Sequence, residues 1–240
     1  MSTSAPQQLS LGVSLRDEAT FENYFVSGDV NSQAISALKN LSENLLLGAG
    51  PQFLVIWGAR GAGLSHLVQA VCHSVGSKAS IQYLPMADVR GYAADDLCDG
   101  LEQMDLVCLD GIEHICGNRE WEQAIFHLYN RLKDGGKSLL IASHTSPPSL
   151  PIFLADLKSR VLGCTIFHVE SLSDEAKMQA LSMRAAARGF QLPEEVANYI
   201  LKRSARDMVE LFAILNQLDD ASLQEQRRLT IPFVKDILGY

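Results

Sequence analysis

Phe53-Leu54-Val55-Ile56-Trp57-Gly58-Ala59-Arg60-Gly61-Ala62-Gly63-Leu64-Ser65 joins an unbroken apolar run to a glycine-rich turn, and a helical pattern follows to about Val75. Apolar residues without alternation read as a strand covered on both faces. The turn fits GxxxxG-x-[ST], in the strand-to-helix context such a loop requires. Its glycines let backbone N–H groups approach a phosphate, and the helix behind them turns its positive end toward the charge. Ser65 suits Mg²⁺. Leu64 stands where a lysine is expected. That withholds a charged hydrogen bond worth roughly 1.5–3 kcal/mol. Gly58, Arg60, Gly61, Ala62, Gly63, Leu64 and Ser65 are therefore expected to cradle a phosphate through backbone, without tight γ-phosphate binding or fast turnover.

Outward from this loop the chain alternates strands and helices. Further strands are expected over Ile81–Met86, Leu106–Leu109, Ser138–Ala142 and Thr165–Val169. A helix is expected over Ser32–Leu47, with Ile35, Leu38, Leu41 and Leu45 at helical spacing, and another over Arg119–Lys133. This is an α/β pattern, a parallel sheet with helices on both faces. After Glu170 only helices follow. Ser173 is an expected N-cap, Pro193 suits the first turn of the next helix, and Met208, Leu211, Phe212, Leu215 and Leu218 stripe a third. Thr230 caps a last one. The division expected is a mobile tail over 1–20, an α/β nucleotide-binding domain over 21–170 and a small helical lid over 171–240.

Leu106-Val107-Cys108-Leu109-Asp110 is an apolar strand ending in a carboxylate, which supplies the other half of a phosphate-and-metal site. Asp110 would orient Mg²⁺ through water or through Ser65. An efficient ATPase of this kind places a second acid next to polarise water; here that residue is Gly111, and Glu113 follows two further on.

Composition sets the outer limits. The chain has 240 residues, 47% hydrophobic and 20% charged, enough to bury a core without covalent staples. A net charge of −8 leaves no broad basic field for DNA, RNA or an anionic membrane. Cys72, Cys98, Cys108, Cys116 and Cys164 form no CxxC pair, so neither a zinc ribbon nor a dithiol redox site is suggested. No HExxH-type pattern occurs. With no secretory signal and no long apolar span read in the chain, a cytoplasmic location is expected.

Taken in order, these residues resemble the AAA+ superfamily, and within it the DnaA-related branch, over nearly the whole chain. The resemblance makes Gly58–Ser65 the Walker A loop and Leu106–Asp110 Walker B. Phe21, Tyr24 and Phe25 match an aromatic N-linker that runs beside the nucleotide. Ser143-His144 occupies the sensor 1 position, with His144 where such proteins often have an acid. Asp156-Leu157-Lys158-Ser159-Arg160 resembles the arginine-finger segment, with Arg160 as the finger acting in trans, and Ser204-Ala205-Arg206-Asp207 resembles sensor 2, with Arg206 facing the phosphates. Gln8-Leu9-Ser10-Leu11 resembles the motif by which replication proteins enter the pocket of the β sliding clamp, Leu9 and Leu11 filling it while Gln8 makes polar contacts.

The resemblance implies a negative regulator of replication initiation. It would bind a nucleoside diphosphate, ADP above all, with Mg²⁺ as a possible companion. It would sit on the DNA-loaded clamp and stimulate hydrolysis of DnaA-bound ATP. A homodimer is compatible with a finger that acts across subunits; a direct DNA-binding domain and a membrane partner are not expected. Two other readings stay open: a self-acting AAA+ ATPase, such as a helicase loader or transposition helper, and a nucleotide-independent scaffold.

Overall fold

The computed structural model describes residues 15, 19–204, 207–225 and 227–239. In chain order the elements are α1 (Gly28–Leu47), β1 (Phe53–Trp57), α2 (Leu64–Val75), β2 (Ile81–Pro85), α3 (Met86–Val89), α4 (Ala94–Cys98), β3 (Leu106–Asp110), α5 (Arg119–Asp134), β4 (Ser138–Ser143), α6 (Ala155–Leu162), β5 (Thr165–His168), α7 (Asp174–Ala187), α8 (Glu194–Arg203), α9 (Met208–Glu225) and α10 (Ile231–Leu238). The strands form one parallel five-stranded sheet in the order β2-β3-β4-β1-β5. Among the described residues no helix is long and apolar enough to cross a membrane.

The apolar strand runs are explained by burial on both faces. Alternate residues of a strand point to opposite sides. Val55, Val107, Leu109, Leu139 and Ile141 join one core with α5, while Leu54, Ile56, Leu106, Cys108, Leu140 and Ala142 join the other with α1 and α2. Both sides are apolar, so the sequence shows no polar alternation. A third core belongs to the helices after residue 173, built on Leu181, Val196, Ile200, Leu211, Leu215 and Phe233.

Several element ends differ from the sequence expectation. Helix α1 starts at Gly28, four residues before Ser32, behind Ser27, which makes no side-chain cap. β2 ends at Pro85, because Met86 opens α3. Pro193 is the N-cap of α8, in extended geometry, and Glu194 is the first helical residue. Ser173 and Thr230 do cap as expected, accepting from the amides of Ala176 and Phe233.

Two polar devices hold the frame. Buried Asn31 on α1 donates to the carbonyl of Glu170 at 3.0 Å and accepts from its amide at 2.7 Å, fastening α1 to the segment between β5 and α7. At the amino ends of β2, β3 and β4, Asp105 accepts from Ser80 through its amide and hydroxyl and from Lys137 at 2.9 Å. The Lys137 ammonium and the Ser80 donors lower the Asp105 pKa to about 2. A depressed carboxyl stabilises the fold above its unfolded pKa of about 4 and loses that contribution as pH falls through about 2. This side chain is 40% exposed. After discounting for solvent screening, Asp105→Asn should cost about 1 kcal/mol at neutral pH, a fall of about 2–4 °C in melting temperature. Melting curves at pH 7 and pH 2.5 check it: the difference between variant and wild type should shrink at the lower pH.

Candidate nucleotide-binding cleft

The sheet register brings the candidate chemistry to one end. β1 lies between β4 and β5, with Trp57 opposite Ser143 and His168, and Asp110 is opposite Ala142. Gly58, Asp110 and His144 therefore all emerge at the carboxyl ends of the strands, where open α/β sheets take their ligands. The chain turns here because only glycine fits. A Cβ on Gly58 would run into the carbonyl oxygen of Val169, and a Cβ on Gly63, at φ +85°, would sit 2.7 Å from the ring of Tyr24. Gly58→Ala must push backbone apart, so a loss of about 1–3 kcal/mol is expected, read as a lowered melting temperature.

Above the loop is a cleft of about 390 Å³ between the α/β part and the lid. Gly61, Ala62, Gly63, Leu64 and Ser65 line its floor, and Ala180, Arg184, Met208, Phe212 and Asn216 of α7 and α9 line its roof. Helix α2 has no side-chain N-cap, its N-cap position being Gly63 in the left-handed region at φ +85°. Ser65 is exposed at the mouth. Leu64 is 1% exposed and belongs to the core under the cleft, which is why an apolar residue is held at this position. His144 also lines the cleft, its Nδ1 3.3 Å from the carbonyl oxygen of Gly58. The carboxylate of Asp207, at the start of α9, is 3.7 Å from where a Cβ on Gly61 would lie.

The three aromatic candidates separate. The Tyr24 hydroxyl donates to the carbonyl of Ala62 at 2.8 Å, and burial pushes its pKa up to about 12, so it stays a neutral donor. Phe25 lines the cleft and packs against the lid core. Phe21 instead faces the α/β core, with the Lys39 ammonium 5.6 Å from its ring centroid, and does not line the cleft. Arg60 is exposed and likewise stands outside the cleft lining.

Asp110 is buried, and its carboxylate accepts a 2.6 Å hydrogen bond from the Tyr83 hydroxyl. Tyr83 in turn accepts from Gln69, a cleft residue, at 3.3 Å. Burial, first, and then the Asp110 charge raise the Tyr83 pKa, so this phenol stays protonated. Asp110 is not among the residues lining the cleft, whereas Ser65 is; as a donor set for Mg²⁺ the two would offer one carboxylate and one hydroxyl. Such a pair fits a cation held mainly by water and by a ligand's phosphates. Among the described residues no cluster of three or more His, Cys, Asp or Glu side chains has metal-binding geometry. Glu113 does not line the cleft, and its Oε2 is buried without a hydrogen-bond partner among the described residues.

Arg160, on α6, is not among the residues lining this cleft; its guanidinium lies over the ring of Tyr129, 5.7 Å from the centroid. Arg206 and the motif residues Gln8, Leu9 and Leu11 lie outside the described residues. Sequence reasoning missed Arg184, 6% exposed in the cleft roof with its guanidinium 5.1 Å from the Phe212 ring centroid. It also missed the Tyr83 bond to Asp110. A charge on an amphipathic helix reads as a solvated face, and a tyrosine in a short strand reads as packing.

Comparison with known proteins gives the family. Residues 15–167 match the family described as the bacterial DnaA ATPase domain, and residues 174–238 match the lid domain of Hda. Domain III of the Thermotoga maritima replication initiation protein DnaA superposes with a TM-score of 0.78 at 22% identity, covering 95% of this chain and 98% of that one. AMPPCP-bound DnaA from Aquifex aeolicus gives 0.71 at 24% identity, covering 85% of this chain and 66% of that one. The Thermotoga maritima RuvB branch migration motor gives 0.69 at 15% identity, covering 94% and 72%. A parallel sheet carrying a glycine-rich phosphate loop, closed by a helical lid and matched over most of its length, places this chain in the bacterial DnaA ATPase-domain family of AAA+ proteins, with an Hda-type lid.

Proposed function

We propose that the chain is a nucleotide-binding regulator of replication initiation that acts on ATP-bound DnaA. The observation that carries this reading is a division of labour. The chain's own cleft has a phosphate cradle with Leu64 folded into the core in place of a lysine, whereas Arg160 stands outside that cleft. A module with a holding site and an arginine placed outside it is suited to completing a neighbour's site rather than its own. The arginine would stabilise charge developing on the neighbour's γ-phosphate.

Backbone amides of the loop, the α2 amino end and Arg206 would hold a nucleoside diphosphate, ADP first. The Aquifex aeolicus DnaA relative, captured with AMPPCP, supports a nucleotide ligand for this fold. Mg²⁺, where bound, would supply charge neutralisation between the phosphates, held by Ser65 and oriented by Asp110. Tyr24 fastens the N-linker to the loop, so binding and lid position are coupled through Phe25. Gln8, Leu9 and Leu11 would tether the protein to the β sliding clamp on DNA, and a second copy of the chain is a candidate partner across the finger face.

Calorimetry with ADP and ATP, paired with a phosphate-release assay, tests the holding role. ADP should bind and ATP turnover by the purified protein should be close to background. Arg206→Ala should weaken ADP binding, because that residue would act in cis. Robust turnover by the protein alone would favour a self-acting ATPase instead.

A further inference from the structure

Helix α5 carries two side chains, seven residues apart and hence on one face, that both reach the segment presenting Arg160. Glu122 is a carboxylate buried to 1% exposure. It accepts from the amide of Gly117 at 2.7 Å, from that of Phe153 at 3.0 and 3.2 Å, and from that of Leu154 at 2.7 Å. Leu154 is the N-cap position of α6 and offers no side-chain cap of its own. A carboxylate from α5 therefore pins the two amides that lead into α6, those of Phe153 and of the N-cap residue Leu154, and its charge suits the positive end of that helix. Two turns on, Tyr129 lies under the Arg160 guanidinium. Between these points Leu157 and Val161 of α6 are buried in the core that holds Ile125, Leu128 and Tyr129.

We propose that α5 is the template that aims the finger, with Glu122 and Tyr129 as positioning residues for Arg160: Glu122 fixes where α6 begins, and the Tyr129 ring holds the guanidinium. This rests on the reading of Arg160 as a finger acting on DnaA. A free arginine side chain samples many rotamers, and a ring beneath it removes much of that freedom before a partner arrives. Loss of the ring should lower the maximal stimulated rate without weakening docking, since docking uses the whole surface while rate depends on where the guanidinium sits.

The experiment measures conversion of DnaA-bound ATP on clamp-loaded DNA against the concentration of Tyr129→Leu, Tyr129→Phe, Glu122→Gln and Arg160→Ala, each first matched to wild type in ADP binding. Tyr129→Leu and Glu122→Gln should lower the maximal rate about tenfold with half-maximal concentration unchanged, while Tyr129→Phe, which keeps the ring face, should stay within about twofold of wild type. Full activity of Tyr129→Leu and Glu122→Gln beside an inactive Arg160→Ala overturns the positioning role and leaves the finger reading intact. A fully active Arg160→Ala overturns the finger reading itself. A raised half-maximal concentration at unchanged maximal rate, or equal losses in Tyr129→Phe and Tyr129→Leu, also overturns the positioning role. A second readout needs no partner: the Arg160 Nε–H resonance of ¹⁵N-labelled protein should carry a ring-current shift that Tyr129→Phe keeps and Tyr129→Leu loses. An Arg160 resonance without that shift in the wild type contradicts the proposal directly.

Discussion

Arg160→Ala should abolish stimulation of DnaA-bound ATP hydrolysis while leaving the fold, ADP binding and clamp binding as in the wild type. The expected loss is large because, in the proposed finger role, the group would act on charge that develops only in the transition state. In GTPases an arginine finger is worth roughly 10³–10⁵ in rate. The substitution is gentle on the fold: Arg160 is only half-buried on α6, whose packing face is Leu157 and Val161. What is lost locally is the contact with Tyr129. Arg160→Lys should recover little, since a compact ammonium does not reproduce the planar fork of the guanidinium. Single-turnover conversion of ATP preloaded on DnaA reads the effect.

The second large effect concerns the other end of the chain. Leu9→Ala combined with Leu11→Ala should remove clamp binding. Each leucine buried in a partner pocket contributes about 1.5–3 kcal/mol, so together they account for roughly a hundredfold to ten-thousandfold in affinity. Surface-immobilised clamp titrated with wild type and double variant measures this directly. Melting temperature and ADP affinity should match the wild type, and DnaA conversion should fall only when the clamp is required for encounter. Undiminished clamp affinity would remove the tether from the account.

The two effects are separable in principle because they use different chemistry. In the proposed roles the arginine would alter a rate and leave binding alone, whereas the leucines would alter a local concentration and leave the chemical step alone. Raising the concentration of the Leu9/Leu11 variant should therefore restore conversion, whereas no concentration of Arg160→Ala should do so.

The sheet was readable from the sequence because strands buried on both faces leave continuous apolar runs, as in Leu106–Leu109 and Ser138–Ala142. Helices α3 and α4, of four and five residues, were not, because neither completes enough turns to display a period. The glycine-rich turn was legible since its glycines are dictated by close approach: Gly58 against Val169 and Gly63 against Tyr24. Asp110 was found as a strand end, yet its bond to Tyr83 depends on β2 and β3 pairing in register, which no local pattern encodes. Glu122 and Arg184 were hidden for a common reason. Each is a charge on an amphipathic helix, where water is the default neighbour, and each is buried against residues distant in sequence, Phe153 and Leu154 in one case and Phe212 of α9 in the other. Phe21 misled for the opposite reason, since an aromatic beside a nucleotide loop and one in a core look alike until packing separates them.

The most direct test loads DnaA with γ-labelled ATP, removes free nucleotide, and adds this protein with clamp-loaded DNA in single turnover. At a low concentration of this protein, phosphate should be released fast only when DnaA, the clamp on DNA and this protein are all present, and this protein incubated alone with the same ATP should release almost none. Release by this protein alone, or an unaccelerated DnaA in the complete mixture, would contradict the account.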